Sequence, residues 1–102
     1  MIGLIQNAYN YLERTAVISN GDNYTYKNLL ETSESIAVKL LNGKKDLNEA
    51  TIAFIVPSGF DYVRIQWGIW RAGGIAVPLC VSHPVASIKY VIEDSQVSTI
   101  VF

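Results

Sequence analysis

Only one cysteine and one histidine, Cys80 and His83, stand in this sequence of 102 residues. An internal disulfide is therefore excluded, and so is a structural zinc site, which needs several such ligands. The lone thiol fits a reducing compartment, and a cytoplasmic protein is the expectation. Long apolar runs are missing as well. The longest clean run lies near Ile52 to Val56, far short of the ~20 residues of a membrane span. Met1 to Arg14 has neither a basic segment nor an uninterrupted apolar one, so no secretory leader is read there. Nor does one sign of charge dominate. The net charge is −1, with acids and bases scattered, which gives no basis for binding nucleic acid or an anionic membrane. Charged residues make up 17%, against roughly 25% in typical soluble domains. Apolar residues reach 50%. A chain this short has proportionally more surface to cover with polar groups. The apolar surplus implies that something else covers part of it, either the rest of a longer chain or a second copy.

What is present is an alternation of helix and strand within one domain at most. Leu4, Ile5, Ala8, Tyr9 and Leu12 form a helical stripe. Ala16–Ser19 and Tyr24-Thr25 flank Asn20-Gly21-Asp22-Asn23 and predict a hairpin. A helix over about Tyr26–Asn42 follows, with Thr25 as N-cap and Gly43 just past its end. Its stripe is Leu29, Ser33, Ile36, Ala37 and Leu40. Lys44–Ala50 is a polar loop. Thr51–Val56 is rich in β-branched residues without alternation, the pattern of a strand buried on both faces. Ser58 and Asp61 predict a capping box opening a helix that is apolar nearly all round, through Phe60, Tyr62, Val63, Ile65, Trp67, Ile69 and Trp70. Gly73 or Gly74 ends it, and a strand follows at Ile75–Val77. Pro84 starts another helix with stripe Val85, Ile88, Val91 and Ile92, and Ser98–Phe102 is a last strand. The expected fold is α/β, a parallel sheet layered with helices and joined by right-handed βαβ connections. Ending on an apolar strand, the chain is expected to be an incomplete, truncated piece of a larger domain.

The chemistry-bearing residue types have simpler readings. Gly68, Gly73 and Gly74 sit inside and after a helix, whereas a phosphate loop follows a strand and opens a helix. They are read as a helix cap and a close turn. Gly43-Lys44 lacks the earlier glycine of a Walker motif. His83 has no recognisable nucleophile with a supporting acid, and Cys80 reads as packing. Trp67 and Trp70 share a helix face and read as core or interface. Glu93-Asp94 reads as a solvated pair and Asp61 as a cap. Arg64 and Arg71 are cations that acids elsewhere in a longer chain could pair with.

Two segments resemble core motifs of the AMP-forming acyl-CoA synthetases, within the adenylate-forming ligases. Tyr24-Thr25-Tyr26-Lys27-Asn28-Leu29 resembles the first motif, with Asn28 where the family has an acid. Arg71-Ala72-Gly73-Gly74-Ile75-Ala76-Val77-Pro78-Leu79 resembles the second. Ile52–Pro57, Tyr62-Val63, Tyr90 and Glu93-Asp94-Ser95 fit the sequence around them. The wording from Gly68 to His83-Pro84 is most similar to the malonyl-CoA synthetase type, with medium- or long-chain acyl-CoA ligases as the alternative. The resemblance implies that a full-length parent uses ATP, magnesium and CoA. It also implies that the phosphate loop, the ribose-binding acid, the acyl pocket and the catalytic lysine lie beyond Phe102. No residue here is assigned as catalytic, cofactor-binding or metal-binding, and no cofactor is expected in the segment itself. The expectation is an inactive scaffold fragment, part of the large N-terminal domain. A freestanding non-catalytic interaction module is the main rival, and a small nucleotide-binding domain comes last for want of a glycine loop after a strand.

Overall fold

The computed structural model of the chain describes residues 3–57, 59–79 and 99–101. Helix α1 (Gly3–Ala8) is followed by strands β1 (Thr15–Ser19) and β2 (Asp22–Thr25). Ile5 and Ala8 are buried. Leu4, Tyr9 and Leu12 are exposed, so only part of the expected stripe packs. The helix stops at Ala8, leaving Tyr9 and Leu12 in the connecting segment. β1 and β2 form the expected antiparallel hairpin. Its turn is shorter than the sequence suggested, because Asp22 and Asn23 belong to the strand and pair with Ser19 and Ile18. Asn20 (φ 52°) and Gly21 (φ 81°) alone make the reversal. Such left-handed pairs match the natural twist of the two strands.

Helix α2 (Tyr26–Leu41) begins on Thr25, as expected. The Asn28 N–H donates to Thr25 Oγ1 (3.2 Å). The Thr25 N–H donates back to Asn28 Oδ1 (3.1 Å). Asparagine therefore closes the reciprocal box usually made by an acid or glutamine. The next two donors of the helix end are also taken: the Tyr26 N–H bonds to the Arg14 carbonyl (3.0 Å) and the Lys27 N–H to the Leu12 carbonyl (2.9 Å).

Strand β3 (Thr51–Ile55), helix α3 (Phe60–Arg71) and strand β4 (Ile75–Leu79) form a βαβ unit, and β5 (Thr99–Val101) lies on the other side of β3. Both pairings are parallel, with Thr51 opposite Ile75 and Ala53 opposite Ile100. Three successive residues of the central strand, Ile52, Ala53 and Phe54, are buried. Since successive side chains point to opposite faces, both faces of β3 are covered.

Helix α3 sits between two apolar clusters, which explains its lack of a polar face. Trp67 joins Ile5, Ala8, Leu29 and Leu30, with Trp70 packed against them. Ile65 and Ile69 join Ile52 and Phe54 of the sheet. Helix α2 comes close enough to α3 that a Cβ on Gly68 would lie 2.6 Å from Ile36 Cγ2 and 3.1 Å from the Ser33 carbonyl oxygen. Expectations for Ser58, Cys80, His83, the helix from Pro84, Tyr90 and Glu93-Asp94-Ser95 fall outside the described residues.

Candidate functional site

The second motif folds into a junction between helices and sheet, and its arginine ties α3 to α2 and to the segment that follows α1. Arg71 Nη1 donates to the Leu30 carbonyl (2.9 Å) and to Ser33 Oγ (3.2 Å), while Nη2 donates to the Tyr9 hydroxyl (2.7 Å). Ser33 is fully buried, and its hydroxyl donates to the same Leu30 carbonyl (3.1 Å). The Arg71 guanidinium is thus engaged within the described residues. Arg64 Nε lies 2.7 Å from Asp61 Oδ1 one helical turn away.

Asp61 is thus paired with Arg64, and the Ser58 half of the expected capping box lies outside the described residues. The N-cap of α3 is Gly59, with no side-chain cap bond. A Cβ at Gly59 would stand 2.8 Å from Ser19 Oγ, so the hairpin presses directly on this helix start. The cap read from the sequence, Ser58, stands one residue before the Gly59 that holds the N-cap position.

Gly73 and Gly74 have the structural role expected of them. The Gly74 N–H bonds to the Ile69 carbonyl (2.9 Å) and the Gly73 N–H to the Trp70 carbonyl (3.0 Å). This double closure is the Schellman arrangement, with Gly73 at φ 84°. The polar loop then docks on the turn: the Leu47 N–H donates to the Ala72 carbonyl and the Glu49 N–H to the Gly73 carbonyl (both 2.9 Å).

A cleft of ≈ 220 Å³ lies where β3 leaves the sheet and α3 begins, lined by Ser19, Asn20, Tyr24, Pro57, Gly59, Phe60 and Asp61. Open α/β sheets bind ligands beyond the carboxyl ends of their strands, which is where this cleft sits. Its wall is the Tyr24–Phe60 stack, with ring centroids 3.9 Å apart and planes 6° apart. Its one carboxylate is the Asp61 already held by Arg64, and it brings no nucleophile together with a base. Sequence reading missed both the stack and the Tyr9–Arg71 bond. Tyr24 stood in a motif but Phe60 had no pattern linking it there, and Tyr9 lies 62 positions from its partner.

Among the described residues, no group of three or more His, Cys, Asp or Glu side chains is placed to hold a metal ion. No helix among them is long and apolar enough to cross a membrane.

The sequence profile of the AMP-binding enzyme family matches residues 4–102. The mitochondrial malonate–CoA ligase ACSF3 of Xenopus laevis is 38% identical over 95 residues, covering 89% of this chain and 16% of that protein. Its human counterpart is 34% identical over 94 residues, covering 86% and 16%. The chain thus spans about a sixth of these relatives. In fold it is similar to the N-terminal subdomain of Klebsiella oxytoca NpsA, with a TM-score of 0.85 at 17% identity over 95% of this chain and 26% of that one. It is also similar to MatB of Rhodopseudomonas palustris, with a TM-score of 0.79 at 19% identity over 95% and 20%. With its two motifs built into the helix–sheet junctions of that fold, the chain belongs to the AMP-binding enzyme family and matches the N-terminal part of its AMP-forming CoA ligases.

Proposed function

We propose that this chain is a scaffold segment of an ATP-dependent malonate–CoA ligase and that the 102 residues alone catalyse nothing. The observation that carries the reading is the identity of 38% to a malonate–CoA ligase across 89% of the chain. In the proposed reaction a carboxylate oxygen attacks the α-phosphorus of ATP and expels pyrophosphate. The CoA sulfur then attacks the acyl carbon and expels AMP. No step of this reaction is assigned to the described residues. The leading N–H groups of α2 are already bonded to Leu12, Arg14 and Thr25. Arg71 and Arg64 are bonded within the fold. Their work is to fix the sheet and the helices on which the remainder of the ligase is built. Exposed Ile18 and Ile75 are surface for that remainder to cover.

Pyrophosphate release by the purified 102-residue chain, given malonate, ATP, magnesium and CoA, is expected to equal the buffer blank. Release above the blank would overturn the scaffold reading. The longer reading frame that contains this segment is expected to prefer malonate over long-chain acids; the opposite preference would overturn the substrate. Placement in the cytoplasm belongs to the same proposal, and fractionation of the native source tests it. The vertebrate relatives carry the word mitochondrial in their names.

A further inference from the structure

We propose that Asn42 is a site of spontaneous deamidation, controlled by opening of the C-terminal end of α2. Two asparagines in the sequence precede glycine, Asn20 and Asn42. The nitrogen of a following glycine has no neighbouring Cβ to shield it, so it reaches the asparagine carboxamide more readily than that of any larger residue. Attack of the Gly43 nitrogen on Asn42 Cγ forms an N–C bond and closes a succinimide. The side-chain nitrogen leaves as ammonia, carrying the proton given up by the Gly43 N–H. Water then opens the ring at either carbonyl, giving aspartate or isoaspartate, with no change of oxidation state.

The closed structure holds this step back. Asn42 lies at φ 47° and ψ 46°, a geometry that sets the Gly43 nitrogen nearly opposite Asn42 Cβ about the Cα–C bond. Rotation about ψ is needed, and it breaks the bond from the Lys44 N–H to the Leu41 carbonyl (2.9 Å). Little else resists it. Among the described residues no hydrogen bond engages the Asn42 carboxamide or the Gly43 N–H. Residues 42–46 are all exposed, Val38 on the last turn is 63% exposed, and nothing lies within 4 Å of a Cβ built on Gly43. Helix ends of this kind open at little free-energy cost.

Asn20 has the same neighbour but a different setting. Its turn is closed by the pairing of Ser19 with Asp22, Ser19 packs on Gly59, and Tyr24 stacks on Phe60. Opening there disturbs the hairpin and its contact with α3. At Asn42 the product places a carboxylate at the end of a helix where the dipole disfavours negative charge, so modification loosens the last turn further.

The test is timed incubation of the folded protein in warm, mildly alkaline buffer, followed by trypsin digestion and mass spectrometry. Cleavage after lysine and arginine separates Leu40–Lys44, which holds Asn42, from Thr15–Lys27, which holds Asn20. The expected result is a gain of one mass unit in Leu40–Lys44 several-fold faster than in Thr15–Lys27, with the two rates converging in denaturant. Equal or faster gain in Thr15–Lys27 of the folded protein would overturn the proposal. So would an unchanged Leu40–Lys44 in folded protein when the denatured chain gains mass there.

Discussion

Helices α2 and α3 both stop on a glycine with positive φ, Gly43 at 89° and Gly73 at 84°, yet the two glycines answer different demands. Past Gly43 the chain is in solvent, and a side chain there would meet nothing within 4 Å. Past Gly73 it runs under a docked loop, where a Cβ would strike the Asp46 carboxylate. Next to it, a Cβ on Gly74 would come 3.3 Å from the Ala50 carbonyl oxygen. The first glycine satisfies backbone geometry alone; the second satisfies geometry and space together. Two similar residues in one sequence therefore carry different structural weight, and the family motif contains the heavier one.

Substitutions break this comparison in graded steps. The largest effect is expected at the helix–helix contact beside the junction. Gly68→Leu must push Ile36 and the Ser33 backbone aside, at a cost of about 3 kcal/mol or more, since overpacking outweighs the gain in helix propensity. Denaturant unfolding of the variant checks it. Gly73→Ala follows, at about 2–3 kcal/mol: the left-handed backbone is unfavourable for alanine, and Asp46 must turn away from the Asn48 N–H it accepts from at 2.6 Å. Arg71→Met is expected to cost about 2 kcal/mol through its lost bonds to Leu30, Ser33 and Tyr9, and to leave α1 more open to protease. Gly43→Ala is the smallest, about 1 kcal/mol, because it meets backbone strain and no neighbour. Equal midpoints for Gly43→Ala and Gly73→Ala would remove the distinction drawn between the two turns.

Much of the fold was legible in the sequence because its signals are local. The β-branched-rich, non-alternating stretch Thr51–Val56 marked the central strand, Asn20-Gly21-Asp22-Asn23 the hairpin, and Thr25 the start of α2. The apolar circumference of α3 foretold a helix packed on two sides, as the clusters around Trp67 and Ile69 bear out. What stayed hidden depends on contacts between distant positions. Nothing near Tyr9 or Arg71 announces their bond, and Leu4 and Leu12 kept a helical spacing that the short α1 does not bury. At the start of α3 the N-cap is Gly59, one residue after the Ser58 read from the sequence, and Asp61 is paired with Arg64, a contact its capping position did not announce.

The carbonyls of Leu12 and Arg14 that accept the first N–H groups of α2 precede that helix in the chain. During synthesis they leave the ribosome before Tyr26 and Lys27 do. By the time those donors emerge, their acceptors are already free of the exit tunnel, so the helix can start with its partners in place and need not wait for later sequence. Shortening the chain to begin at β1 would therefore do more than trim a terminus: it would take the acceptors from the first two N–H groups of a long internal helix and leave only its Thr25–Asn28 box.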